Sequence, residues 1–154
     1  MTTTAFGTEP TVQMLWDIEQ IKQLKARYFR LIDTKDWERF ADLFTADCIH
    51  HLPTGAPKPT LTNVEYLPSL RNSLEHSVTV HHGHMPEITL LSETEAEGIW
   101  SMFDDVHTSR PDQAPWRIQG FGHYFETYRK CDDGKWRISS KRNVRHRRVD
   151  DLPG

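Results

Sequence analysis

The chain has 154 residues, a mass of 18.0 kDa and a formal net charge of -3, with 36% hydrophobic and 27% charged residues. This size predicts one domain, and the composition excludes a disordered chain. No apolar run approaches the roughly 20 residues that span a bilayer, so we expect no membrane partner. The first residues lack a secretory pattern and the two cysteines form no disulfide framework, which together predict a cytoplasmic location.

The first half of the chain carries helical patterns. From Gln13 to Asp33 apolar residues recur at intervals of three and four, which predicts an amphipathic helix. Asp36 is typical of the N-cap of a short second helix in DWERFADLF. A strand is predicted in CIHHL and a loop in PTGAPKP. A third helix is predicted to begin near Asn63, and Pro68 should kink or split it.

The second half carries strand patterns. Two short strands separated by Gly83 and Pro86 are predicted in SVTVHH and EITLL, and a long strand in AEGIWSMFDDVHT. After the loop SRPDQAP, a hairpin joins WRIQGFGHYFETYRK to KWRISSKRNVRHRR through CDDG. Helices followed by a strand meander predict an α+β fold, an antiparallel sheet covered on one face by helices. We expect a flexible N-terminus over 1–12, one domain over 13–148 and a tail over 149–154.

Several polar residues lie in apolar surroundings. Tyr28 lies on the apolar helix face, and its hydroxyl needs a partner, which the backbone could supply. Asp33 points about 140° away from Tyr28 on a regular helix, so the two converge only if the helix ends there. Asp104 shares a strand face with Trp100 and is expected in a pocket or at a solvated strand end. His123 shares a face with two phenylalanines, which predicts a pocket position or a hydrogen-bonded core histidine.

Two further features have ordinary explanations. The histidines cluster at His50 and His51 and again near His81, but no strong zinc motif is present, so we expect no metal site. The segment from Lys141 to Arg148 contains six basic residues in eight, five of them Lys or Arg and one a histidine. Because the net charge is negative and no nucleic-acid module is recognisable, this segment predicts a strand with ion pairs rather than a nucleic-acid partner.

Three stretches resemble the SnoaL-like branch of the nuclear transport factor 2-like superfamily, and within it the bile acid 7α-dehydratases. They are DIEQIKQLKARYFRLIDTKDWERFADLF, HHGHMPEITLLSETEAEGIW and GHYFETYRKCDDGKWRI. The resemblance implies a cone-shaped α+β barrel whose curved antiparallel sheet and N-terminal helices enclose an apolar pocket. It also implies catalysis without a metal or organic cofactor, and a homo-oligomer that is a dimer or a trimer.

The resemblance further implies four catalytic residues, namely Tyr28, Asp33, His81 and Asp104. In a dehydratase, His81 would transfer the proton and Asp33 would hold its tautomer. Tyr28 would donate to an oxygen that gains charge, and Asp104 would assist the leaving hydroxyl, although these two could exchange roles. The loop DDVHTSRPDQAP and the basic segment depart from the dehydratase pattern, so the substrate is not fixed.

These observations predict a cofactor-independent dehydratase that eliminates water from a hydrophobic polycyclic hydroxy ketone, either steroid-like or polyketide-like. The same scaffold also hosts ketosteroid-type isomerases, epoxide hydrolases and non-catalytic binding or assembly subunits. An isomerase needs no acid for a leaving group, so its activity would survive without Asp104. A binding subunit would tolerate the loss of all four residues.

Overall fold

The described residues form three helices and six strands. The computed structural model describes residues 9–53, 56–109 and 114–151. The elements in chain order are α1 (Val12–Asp33), α2 (Trp37–Ala41), β1 (Phe44–His51), β2 (Thr60–Thr62), α3 (Asn63–Leu74), β3 (Ser77–Leu90), β4 (Glu95–Thr108), β5 (Trp116–Lys130) and β6 (Trp136–Asp151). Most of the predicted N-terminal segment and parts of the predicted tail, PTGAPKP loop and SRPDQAP loop lie outside the described residues.

Side-chain caps explain where the first two helices begin. The Thr11 hydroxyl accepts the Met14 N–H at 3.2 Å, so α1 begins one residue before the predicted start. After α1, Lys35 adopts a left-handed backbone conformation with φ of 60°, which turns the chain away from the helix axis. Asp36 then caps α2, and its carboxylate accepts the Arg39 N–H, as predicted.

Two helix predictions need correction. The second helix ends at Ala41, because Phe44 already pairs with Ile138 and so begins β1 four residues before the predicted strand. Helix α3 is not split at Pro68. Proline lacks the N–H that would bond the carbonyl of Val64, but Val64 is exposed, so water can serve that carbonyl instead.

The six strands form one curved sheet in the order β2-β1-β6-β5-β4-β3. All neighbours are antiparallel except β1 and β6, so the predicted antiparallel sheet contains one parallel pair. The two strands predicted on either side of Gly83 and Pro86 are a single strand, β3. An irregularity in its pairing between His84 and Glu87 accommodates the proline, which cannot donate to the ladder.

The helices cover the inner face of the sheet and close a shared core. That core consists of buried apolar residues from α1, α2, the turn between α2 and β1, and five strands, namely Ile21, Leu24, Tyr28, Leu31, Ile32, Phe40, Leu43, Phe44, Cys48, Leu90, Ala96, Tyr128, Trp136 and Ile138. The predicted α+β fold, with a curved sheet and N-terminal helices, is confirmed. Within the described residues, no helix combines the length and the hydropathy needed to cross a bilayer.

Candidate active site

A cavity of about 210 Å³ lies where α1, α3 and the curved sheet meet. Its polar lining comes from aromatic, basic, acidic and amide side chains, namely Tyr28, His50, His51, Tyr66, His81, Asp104, Tyr124, Lys141, Asn143 and Arg145. Its apolar lining consists of Ile32, Leu52, Pro53, Leu70, Leu74 and Val106. Three of the four predicted site residues therefore line one cavity. The fourth, Asp33, lies beside His81.

Asp33 and His81 form a hydrogen-bonded pair at the end of α1. Oδ1 of Asp33 lies 2.7 Å from Nδ1 of His81, and Oδ2 accepts the backbone N–H of His81 at 2.9 Å. The Thr79 hydroxyl also donates to Oδ1, at 2.8 Å. Asp33 is the last residue of α1, which is the condition under which helix geometry allows it to approach the cavity.

These donors keep Asp33 ionised and fix the histidine tautomer. Burial raises the pKa of Asp33, but the hydrogen bonds from the ring and backbone of His81 and from Thr79 outweigh it, so the pKa lies below its usual range. A carboxylate only accepts, so Nδ1 of His81 carries the proton. In the neutral imidazole Nε2 is then the unprotonated nitrogen, and this side chain lines the cavity.

Tyr28 presents a neutral phenol to the cavity. Its hydroxyl oxygen accepts a hydrogen bond from the Lys141 ammonium at 2.7 Å, so its partner is a side chain and not the backbone. The same ammonium donates to the Tyr66 hydroxyl at 2.9 Å. Burial, and then the negative charge that neighbours such as Tyr66 and Tyr124 would carry, raise the pKa of Tyr28 well above its usual value. Tyr28 can therefore donate a proton in a hydrogen bond but cannot act as a phenolate base.

Asp104 lies opposite His81 in the β3–β4 ladder and is 1% exposed, which excludes the solvated strand end. Its Oδ2 forms an ion pair with Arg145, whereas its Oδ1 is buried without a partner among the described residues. Gly120 makes room for this arrangement, because a Cβ there would lie 2.2 Å from Oδ1 of Asp104 and 2.6 Å from Nε of Arg145. Asp105 points to the other face and pairs with Arg117.

A buried ion pair supports the wall of the cavity behind Tyr28. Lys25 donates to Glu126 at 2.5 Å, and both side chains are 0% exposed. The Lys25 ammonium lies 4.1 Å from the ring centroid of Tyr28 and 3.8 Å from that of Tyr124. Burial, against the attraction of Glu126, lowers the pKa of Lys25 to about 8. These cation–π contacts and the ion pair hold both tyrosine rings in place.

His50 forms the floor of the cavity as a neutral side chain. Its Nε2 lies 2.8 Å from Oδ1 of Asn63, and its ring stacks on Tyr66 with centroids 3.8 Å apart. Burial lowers the pKa of His50 to about 4. Its Nδ1 is buried without a partner in the described structure. Among the described residues, no three His, Cys, Asp or Glu side chains are grouped to hold a metal ion.

Both interpretations of His123, as a pocket residue and as a hydrogen-bonded core histidine, were wrong. His123 lies on the outer face of the sheet, half-buried, where its Nδ1 contacts Nε2 of His146 at 3.0 Å. The inner face of β5 instead carries Gly120, Tyr124 and Glu126. The apolar phenylalanines beside His123 suggested an inward face, but the tyrosines and glycines of the alternate positions are the buried set.

Sequence reasoning also missed Lys141 and Arg145, which line the cavity from β6. Together with Asn143 they occupy alternate positions of the strand, and period-two alternation within the basic segment was the signal that could have found them. Arg142 projects outward, where its guanidinium lies 4.8 Å from the Phe125 ring centroid. The predicted ion-paired strand is present in part, since Arg145 pairs with Asp104.

Comparison with known protein families identifies the family of this chain. The SnoaL-like domain model matches residues 13–142, and the chain belongs to the SnoaL-like family. A Gibberella zeae protein assigned as the cyclase FGR4 is 28% identical over 135 residues, which cover 81% of this chain and 88% of that protein.

Solved structures of the same fold include proteins named for elimination reactions. A protein from Novosphingobium aromaticivorans, assigned as a scytalone dehydratase, superposes with a TM-score of 0.78 and 23% identity, covering 92% of each chain. The hexachlorocyclohexane dehydrochlorinase LinA-type3 from Novosphingobium barchaimii gives a TM-score of 0.74 at 16% identity, covering 93% of this chain and 99% of that one. At these identities the likeness establishes the fold.

Proposed function

We propose that this protein is a cofactor-independent dehydratase that eliminates water from a hydroxy ketone. The observation that carries the proposal is the Asp33–His81 pair, which leaves Nε2 of His81 as a base at the cavity, with Asp104 directly across the ladder. The family and the elimination reactions of its structural neighbours support a lyase-type activity, and the cyclase relative is compatible with isomerase-type chemistry.

The first step is removal of a proton next to the substrate carbonyl. Nε2 of His81 accepts this proton, and the imidazolium that forms is stabilised by the ionised Asp33 at Nδ1. Tyr28 donates its hydroxyl proton in a hydrogen bond to the carbonyl oxygen, which gains negative charge as the enolate forms. The raised pKa of Tyr28 suits this role, because the phenol stays protonated.

The second step is departure of the hydroxyl group. The C–O bond breaks as the enolate electrons form the new double bond, and the hydroxide leaves as water with the proton that His81 took. Asp104 and Arg145 lie on the same wall as His81, where Arg145 can donate to the departing oxygen and Asp104 can accept from the hydroxyl before it leaves. The unpartnered Oδ1 of Asp104 supports this contact.

The cavity volume favours the smaller members of the predicted substrate range. An apolar protein cavity of about 150 Å³ can hold one benzene molecule. At about 210 Å³, this cavity suits a ligand of one or two rings, such as a small polyketide-like hydroxy ketone. A four-ring steroid would require the cavity to open.

The protein is further proposed to be a cytoplasmic homo-oligomer, either a dimer or a trimer. Light scattering tests the oligomeric state.

The test is turnover of a panel of one-ring, two-ring and four-ring hydroxy ketones, followed by the absorbance of the new conjugated double bond and by the loss of one water in the product mass. His81→Ala should abolish turnover. The matched control is His82→Ala, because His82 is the next residue of β3 and is exposed on the opposite face. Equal loss in both variants, or turnover that survives His81→Ala, would contradict the proposal.

A further inference from the structure

Lys141 is a buried cation without a carboxylate partner. Its side chain lines the cavity, the residue is 6% exposed, and it forms no ion pair anywhere in the described part of the chain. Burial of an unpaired ammonium is unfavourable, so a residue of this kind needs a compensating partner. The neighbouring cations differ in this respect, because Lys25 is paired with Glu126 and Arg145 with Asp104.

The contacts of Lys141 leave three hydrogen-bond donors unused beside the cavity, namely one N–H of its ammonium and the hydroxyls of Tyr28 and Tyr66. An ammonium has three N–H donors, and Lys141 uses two of them on the hydroxyl oxygens of Tyr28 and Tyr66. Each phenol oxygen accepts from Lys141, so its own O–H is left to donate, and no described contact accepts it. All three residues line the cavity. The ligand group that best matches three hydrogen-bond donors and one positive charge is an acceptor oxygen that carries negative charge.

We propose that Lys141, with Tyr28 and Tyr66, forms an oxyanion subsite that binds the ionised oxygen of a phenolate or enolate. The subsite extends the proposed function, in which this oxygen would be the substrate carbonyl oxygen as it gains charge. Lys141 supplies the positive charge there, and the two hydroxyls supply directed hydrogen bonds. Tyr28 stays a neutral donor beside it.

A purely structural role for Lys141 makes a different prediction. If the ammonium only joined the two tyrosines, the cavity would bind a phenol and its phenolate equally well, and loss of the charge would affect folding alone. An oxyanion subsite instead binds the phenolate in preference to the phenol, and the preference depends on the charge of Lys141.

The experiment uses 4-nitrophenol, whose phenolate absorbs separately from the phenol. In the full-length protein we expect the phenolate to bind roughly 10- to 100-fold more tightly than the phenol, the range expected for hydrogen bonds to a charged group. Lys141→Met should remove this preference, and Tyr66→Phe should reduce it severalfold. Arg142→Met is the matched control, because it removes a cation from the next, outward-facing position of β6 and should leave the preference unchanged.

Several results would overturn the subsite. The first is equal binding of the phenol and the phenolate by the unaltered protein, and the second is a phenolate preference that survives in a folded Lys141→Met variant. The third is an unchanged preference in Tyr66→Phe, and this variant keeps the test decisive if Lys141→Met does not fold. Binding of 4-nitrophenol requires no turnover. His81→Ala should therefore retain the phenolate preference while it loses elimination, so failure of the proposed reaction and failure of the subsite give different results.

Discussion

Asp33 holds His81 through both of its carboxylate oxygens, one on the ring Nδ1 at 2.7 Å and one on the backbone N–H at 2.9 Å. A carboxylate at the last residue of a helix is disfavoured by the helix dipole. The donors of His81 and the Thr79 hydroxyl compensate this cost. Three directed hydrogen bonds hold the Asp33 carboxylate in a position that is unfavourable for α1. We therefore infer that Asp33 serves to orient His81 and not to stabilise the helix.

Asp33→Asn tests this orientation. An asparagine of the same shape cannot accept at both positions, and its amide would favour the wrong tautomer of His81, so turnover should fall by about 100-fold or more. The comparison is of kcat at saturating substrate. Asp36→Asn is the control, since asparagine serves equally well as the cap of α2. If Asp33→Asn turns over at the unaltered rate, Asp33 has no part in catalysis.

Asp104→Asn separates the dehydratase from an isomerase on the same scaffold. Elimination uses Asp104 and Arg145 at the leaving hydroxyl, whereas double-bond migration needs only the base and the enolate donor. We therefore expect elimination to fall by about 100-fold, measured as product that has lost water. Asp105→Asn is the control, because Asp105 faces outward and pairs with Arg117. Elimination at the unaltered rate in Asp104→Asn would show that Asp104 has no part at the leaving hydroxyl, whereas double-bond migration without loss of water in both proteins would favour the isomerase.

Local patterns were sufficient to predict α1 and which residues of β4 share a face. Apolar periodicity placed Tyr28 on the buried helix face, and strand alternation placed Asp104 on the same face as Trp100, which the structure shows to be buried. The pairing of Asp33 with His81 followed from family resemblance, because the two residues lie 48 positions apart and no local rule joins them.

The remaining contacts depend on strand register, which the sequence does not display. Lys141 reaches Tyr28 across 113 positions, and Lys25 reaches Glu126 across 101. Irregularities in the β5–β6 pairing, one of them between Phe121 and Gly122, decide which basic residues of β6 face the cavity. A single slip in register moves every side chain to the other face, so composition alone could not assign them.

His50 should make the protein sensitive to mild acid. Its pKa is about 4 in the folded protein and near 6.5 when unfolded, so between these values only the unfolded chain takes up the proton. The stabilising contribution is complete above pH 6.5 and is lost as the pH falls towards 4. Between pH 7 and pH 5, the free energy of unfolding should fall by about 2 kcal/mol more in the unaltered protein than in His50→Gln.

The measurement for His50 is guanidinium unfolding at the two pH values. Glutamine keeps an amide donor for Asn63, so the variant removes the titrating group while it preserves the hydrogen bond. Carboxylates also titrate in this range, but they are the same in both proteins and cancel in the difference. An identical pH dependence for the two proteins would show that His50 is free to take up a proton in the folded state.

The Lys25–Glu126 pair gives the final prediction, a double-mutant cycle on stability. Lys25→Met leaves the Glu126 carboxylate buried and uncompensated, which should cost about 3 to 5 kcal/mol of unfolding free energy. Adding Glu126→Gln should recover most of that loss, because the neutral amide can still accept the Tyr128 hydroxyl, now 2.6 Å from Glu126. Arg71→Met is the control, since it breaks an exposed pair and should cost at most about 1 kcal/mol. A loss in Lys25→Met no larger than that of Arg71→Met would mean that Glu126 takes up a proton when its partner is removed. The ion pair would then not be what holds the rings of Tyr28 and Tyr124 in place.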